Sequence, residues 1–344
     1  MRRSEAVLLF LFIATAVVFF ATRPRTDSGQ SSGLLGAPAL GAKPTAAATQ
    51  PIVSTDSIIK PTPTAAAAPP YFSNGWLQAH PAADAPAVTA QGLIVLDRDT
   101  QQIMLAKDED SRRPPASIMK IVTAMVALDT ARPSQTIEVS RDAANMEPNR
   151  MGLSYGEHLT VQELLYGLLL DSGNDAAEAL ADSLPGGRAA FIQKMNEKVA
   201  GLGLKNTHFV EPAGLDDDNY TTPYDMAALA DVALTGYPTI RTVVSTKEVN
   251  LPATSSHKPF HPINLNDLLW DYPGTYGMKV GYTDAADYTI ILAGQKDNHN
   301  MLMVLLGSDH HFTEGHKLFD WAYAHLPTPD GSPVRALAAN LEKS

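Results

Sequence analysis

A serine that attacks an acyl carbon needs a base within reach, and the segment PPASIMKIVTAMVAL places Ser117 three residues before Lys120. On a helix that spacing sets both side chains on one face. Lysine takes the serine proton only when neutral, so its surroundings must lower its pKa, and the apolar run around Lys120 offers burial. A serine at a helix start also gains an oriented N–H and a dipole suited to an oxyanion. The spacing alone is unspecific. It recurs at Ser57 to Lys60 and at Ser255 to Lys258, in a linker and a polar stretch, neither at the start of an apolar helix. Order says more: LLLDSGNDAAEAL places Ser172 and Asn174 downstream, and YGMKVGYTDAADYTIILAG places Lys279 and Gly281 at a strand edge beyond them.

Other chemistries are excluded by composition. The 344 residues hold no cysteine, so disulfides, thiolate zinc sites, iron–sulfur clusters and a cysteine nucleophile are all ruled out. A balance of 26 basic against 37 acidic residues gives a net charge of -11, the wrong sign for phosphate neutralisation, and no nucleic-acid partner is expected. Five histidines group as His310, His311 and His316, and as His257 and His261, adjacent or mixed in spacing, and do not match a helix-face pair with a carboxylate third ligand. Neither a metal nor a cofactor is expected.

Elements along the chain must bring these residues together. Residues 1–25 carry Arg2 and Arg3, an apolar run from Ala6 to Thr22, then Arg23 and Arg25, the flanks of an export signal. Seventeen helical residues span about 26 Å against a hydrocarbon core of roughly 30 Å, and no small-x-small cleavage site follows. An uncleaved membrane anchor is expected, with a cleaved signal peptide as the alternative; either places the rest outside the cytoplasm. Residues 26–86, rich in Ala, Pro, Thr and Ser, read as a disordered linker in which Tyr71, Phe72 and Trp76 pack locally. A globular domain over 87–327 and a tail over 328–344 follow. Gly92 to Asp108 and Asp287 to Gly307 read as β-hairpins. Helices are expected over Ser117 to Leu128, over Thr160 to Leu184 with a capping box at Thr160 and Glu163, over Thr222 to Leu234, and over Phe312 to Leu326. Terminal strands around a helical middle make an α+β fold.

In this order the three motifs resemble the S-x-x-K, S-x-N and K-T-G of low-molecular-mass penicillin-binding proteins, the serine-type D-alanyl-D-alanine carboxypeptidases. MGLSYGEHLTVQELLYGLLLDSGNDAAEALA, NTHFVEPAGLDDDNYTTPYDMAALA and INLNDLL extend the likeness from about Gly92 to Tyr323. The resemblance implies a β-lactamase/transpeptidase-like fold, an antiparallel sheet flanked by a helical cluster. It implies Ser117 as nucleophile, Lys120 as its base, Asn174 as orienting group, and Ser172 with Lys279 as the route returning a proton to the leaving amine. The N–H groups of Ser117 and Tyr282 would form the oxyanion hole. Peptidoglycan stem peptides would be the substrate and β-lactams covalent inhibitors. The family's common second β-domain and C-terminal anchor are expected to be missing, with the N-terminal anchor in their place.

Three positions depart from the family. Val280 stands where threonine usually helps hold the substrate carboxylate, and His311 where an arginine usually does, leaving that subsite to Val280, Gly281, Tyr282, Thr283 and His311. Two consequences are expected as alternatives: D,D-endopeptidase action, or carboxypeptidase activity that rises below about pH 6 as His311 gains a proton. Glu211 stands where asparagine is common. It reads either as a solvated surface group or as a deacylating glutamate that would make the protein β-lactamase-like. A catalytically silent wall-binding homologue is the alternative from another class.

Overall fold

The computed structural model describes residues 71–82 and 84–326. The segments read as anchor (1–25), as most of the linker (26–70) and as tail (328–344) lie outside the described residues. A short helix α1 (Gly75–Ala79) precedes a hairpin of β1 (Gly92–Asp97) and β2 (Gln102–Lys107). A 3₁₀ turn, Ala116–Met119, leads into α2 (Lys120–Thr130). Two short strands, β3 (Thr136–Glu138) and β4 (His158–Thr160), enclose α3 (Arg141–Ala144). Six helices follow: α4 (Val161–Leu169), α5 (Asn174–Ser183), α6 (Gly187–Gly201), α7 (Pro223–Gly236), α8 (Pro238–Val244) and α9 (Leu268–Asp271). Strands β5 (Thr275–Thr283), β6 (Asp287–Lys296) and β7 (His299–Ser308) and helix α10 (His311–Ala324) complete the fold.

Both expected hairpins form and join into one antiparallel sheet of order β2-β1-β7-β6-β5. Its two faces are buried against different layers. Ile94, Leu96, Ile291, Ala293 and Val304 pack against the helical cluster, whereas Leu93, Val95, Leu292, Met303 and Leu305 pack against Leu318 and Phe319 of α10. All six residues of β1 are therefore buried, and period-2 alternation sorts side chains between two cores instead of between core and water. Helix α2 is buried along its length from Lys120 to Ala127, so the motif lysine sits on the central helix of the cluster.

Local chemistry fixes the helix starts. The Thr160 hydroxyl accepts the Glu163 N–H while Glu163 accepts the Thr160 N–H, the reciprocal capping box. Thr222 caps α7 through the Asp225 N–H, with Pro223 at its first position. The helix expected over Thr160 to Leu184 is in fact two. Ser172 takes a left-handed backbone, φ 59°, which ends one helix and lets Asn174 start the next. The helix expected from Ser117 begins instead as the tighter 3₁₀ turn, with α2 proper starting at Lys120.

The packed body also starts earlier than residue 87. Phe72 and Trp76 are buried, the Ser73 backbone bonds to Gln101 and Ile103, and the Trp76 ring meets Trp321 edge-on at 6.5 Å. Proline and alanine around these aromatics make the segment read as linker, yet two large rings are enough to dock it. With Trp76 only 4% exposed, Trp76→Ala is expected to lower the unfolding free energy by about 3–5 kcal/mol in a denaturant titration. A loss under about 1 kcal/mol would show that this segment is not part of the packed body.

Candidate active site

Lys120 is the centre of the site. Its Nζ donates to Ser117 Oγ at 2.8 Å, to Asn174 Oδ1 at 2.8 Å and to the Ala213 carbonyl at 2.5 Å. These acceptors arrive from three separate parts of the chain: the 3₁₀ turn, the start of α5 and the loop after Glu211. Asn174 is itself fixed, donating its amide to the Glu147 carbonyl at 3.0 Å.

Burial and charge compete at Lys120. Complete burial pushes its pKa down to about 7, even though the carboxylates of Glu211 and Asp175 work to raise it. At neutral pH a substantial fraction of the amine is therefore free to accept a proton. Lys279, on edge strand β5, is also buried and held well below the ordinary lysine range, first by desolvation and next by the charge of Lys120, with Asp171 opposing. Two buried amines facing one site cannot both keep a proton cheaply.

Two buried carboxylates set this arrangement: Asp175, which did not stand out in the sequence, and Glu211, which stood out for other roles. Asp175 accepts the N–H groups of Met151, Gly152 and Leu153 at 2.8–2.9 Å, pinning the 147–153 loop beside Asn174. Glu211 accepts from Ala213 at 2.6 Å, Leu215 at 3.0 Å, the Asn219 amide at 2.7 Å and the Gly214 N–H. That closed loop aims the Ala213 carbonyl at Lys120. Glu211 is thus neither solvated nor a residue of the cleft; it is 7% exposed and its oxygens are engaged by the loop. The reading that made it a deacylating base loses its geometric support.

Close approaches explain two glycines. Gly214 has φ +87°, and a Cβ there would lie 2.2 Å from the Ala116 carbonyl. A Cβ on Gly281 would lie 2.6 Å from Thr289 Oγ1 and 2.8 Å from Ser117 N, so β5 runs directly against the serine backbone. Thr289 in turn donates to the Pro115 carbonyl at 2.9 Å, tying the 3₁₀ turn to the sheet.

A cleft of about 380 Å³ opens over these groups, lined by Ser117, Ser172, Asn174, Val280, Gly281, Tyr282, Tyr288 and His311 among others. Of the residues assigned to the carboxylate subsite, Thr283 is not in the lining; its hydroxyl accepts the Ala286 N–H at 3.1 Å in the strand turn. Lys279 does not contact Ser172 by a hydrogen bond and donates instead to the Val280 carbonyl at 2.8 Å. His311 lines the cleft but not as the acid-activated cation expected from its type. Its ring stacks on Tyr288 at 4.5 Å and touches Phe312 at 4.0 Å, and burial drives its pKa down to about 4 against the pull of Glu314. It stays largely neutral from pH 6 down to about 5, where activation was expected to begin.

Known proteins resemble this chain in sequence and fold. The family model for D-alanyl-D-alanine carboxypeptidases matches residues 79–310. The chain is 35% identical over 248 residues to the D-alanyl-D-alanine carboxypeptidase DacF of Bacillus subtilis, covering 70% of this chain and 63% of that protein. It is 33% identical to DacB2 of Mycobacterium tuberculosis, covering 69% of this chain and 84% of that one. The chain thus spans under two thirds of the first relative's length and most of the second's. Among solved structures, a DD-transpeptidase from Streptomyces superposes with a TM-score of 0.66 at 31% identity, covering 70% of this chain and 99% of that chain. A D-alanyl-D-alanine carboxypeptidase from Mycobacterium tuberculosis gives 0.65 at 31% identity, covering 72% and 96%. The fold is the α+β penicillin-binding type, and the chain belongs to the D-alanyl-D-alanine carboxypeptidase family.

Proposed function

We propose that this protein is a serine D,D-carboxypeptidase that removes the terminal D-alanine from peptidoglycan stem peptides and is acylated by β-lactams. The observation that carries the reading is the buried Lys120 amine, shared between Ser117 Oγ and Asn174 Oδ1 and depressed to about 7. The family membership and the named relatives support the substrate class.

In the proposed cycle neutral Lys120 takes the proton of Ser117 Oγ as that oxygen attacks the carbonyl carbon of the penultimate D-alanine. The oxyanion is stabilised by the N–H groups of Ser117 and Tyr282, at the point where β5 passes the serine. As the C–N bond breaks, the proton held by Lys120 passes through Ser172, beside the Lys279 amine, to the leaving nitrogen, and Lys120 is neutral again. Water then loses a proton to Lys120 as it attacks the acyl carbon, and that proton returns to Ser117 Oγ as the ester bond breaks and the shortened peptide leaves. The substrate carboxylate is placed along Val280 to Tyr282, beside a neutral His311. The apolar run within residues 1–25 is proposed to tether the enzyme to the outer face of the membrane, with the Pro-rich segment as spacer.

Two outcomes are expected of the purified chain on a stem pentapeptide. D-alanine release is lost in Ser117→Ala, and in the wild type the rate climbs through pH 7, falling about tenfold per pH unit on the acid side as Lys120 stays protonated. The rate does not recover as the pH is lowered from 6 to 5, because His311 remains neutral there. Serine-independent release, or a rate that is flat from pH 5 to 8, would contradict the assignment. Separately, Gly281→Ala is expected to slow acylation by a fluorescent penicillin about 10²–10³-fold and to lower Tm by several degrees, since its Cβ intrudes on the Ser117 N–H and on buried Thr289. Unaltered labelling would remove β5 from the mechanism.

A further inference from the structure

At the end of the sheet far from the cleft, two turns meet. Asp97 closes β1 and is wholly buried, Asp99 lies in the β1–β2 turn, and His299 opens β7 after the β6–β7 turn. Asp97 Oδ1 accepts the N–H groups of Asp99 at 2.9 Å and Thr100 at 3.4 Å, but its Oδ2 is buried without a hydrogen-bond partner. The Nδ1 atom of His299 is likewise buried and unpartnered, and it faces that Oδ2 at 3.7 Å, too far for a hydrogen bond. Asp99, held by the Asn300 backbone and side-chain amide at 2.7 and 2.9 Å, is the third member. One ligand-type atom from each of the three lies within 4.8 Å of the other two. Among the described residues no lysine or arginine forms an ion pair with Asp97 or Asp99.

A buried carboxylate oxygen with nothing to donate to it is costly, and a facing imidazole nitrogen at non-bonding distance does not relieve it. A cation between them relieves both. We propose that Asp97, Asp99 and His299 bind one zinc ion that clamps the β1–β2 turn to the β6–β7 turn. The imidazole donor argues against magnesium or calcium, which take oxygen ligands, and two carboxylates with one imidazole suit zinc with water in its fourth position. Zinc bonds of about 2.1 Å place tetrahedral ligands roughly 3.4 Å apart, close to the existing Asp97–His299 separation. Strand β7 runs from His299 to Ser308, about 30 Å at ~3.3 Å per residue, so the ion sits away from Ser117 and its role is structural.

The test uses the full chain stripped with EDTA and titrated with zinc chloride, read by calorimetry, thermal unfolding and D-alanine release. One zinc per chain is expected, with Tm rising by about 5–10 °C at ~100-fold excess over Kd and with release unchanged. His299→Gln is expected to lose both the bound zinc and the shift, and Asp97→Asn to do the same if it folds. The His299 variant, altered in a partly exposed turn, keeps the test open if it does not. Absence of saturable binding, or equal binding and equal shift in His299→Gln, would overturn the proposal and leave Asp97 and His299 facing each other without a bridging ion.

Discussion

Everything in the cleft depends on one amine being taken out of water. Lys120 lies fully buried on the central helix of the cluster, where desolvation alone would empty it of its proton, and three acceptors with two nearby carboxylates pull the other way. The balance falls near neutrality, which is where a lysine serves as a base. Asp175 and Glu211 take part in that balance without entering the cleft. Each spends its oxygens on backbone N–H groups of a loop, and the loops so fixed carry the partners of Lys120: Asn174 beside the 147–153 segment, and the Ala213 carbonyl in the 211–215 segment. Removing either carboxylate would thus disturb position and charge together.

The sheet supplies the second constraint. Because β5 is its edge strand, its outer side is free to line the cleft, and because Gly281 has no side chain that edge can pass against Ser117. Thr289 on β6 fastens the 3₁₀ turn from below. The serine is held between an edge strand and a helix start, so neither layer alone builds the site.

Much of this was legible in the sequence, and the remainder was hidden for identifiable reasons. The two hairpins announced themselves through apolar runs and turn residues, and Ser117, Lys120, Ser172, Asn174 and Lys279 stood out by order and context. The break at Ser172 did not, because helical periodicity runs through Leu164 to Leu180 on both sides of a single left-handed residue. The docking of Phe72 and Trp76 was masked by surrounding proline and alanine. Glu211 looked like a surface or catalytic group because composition cannot show that a glutamate will satisfy its own loop. His311 looked titratable because residue type sets an ordinary pKa, whereas burial, against Tyr288 and Phe312, pushes it down to about 4 here.

The most direct test of the account is the protonation of Lys120 itself. In a chain carrying ¹³Cε-labelled lysine, with Lys120→Arg used to identify the resonance, the account predicts a titration midpoint near pH 7. An ammonium resonance persisting beyond about pH 9, in the ordinary lysine range, would contradict it and leave Ser117 without its base.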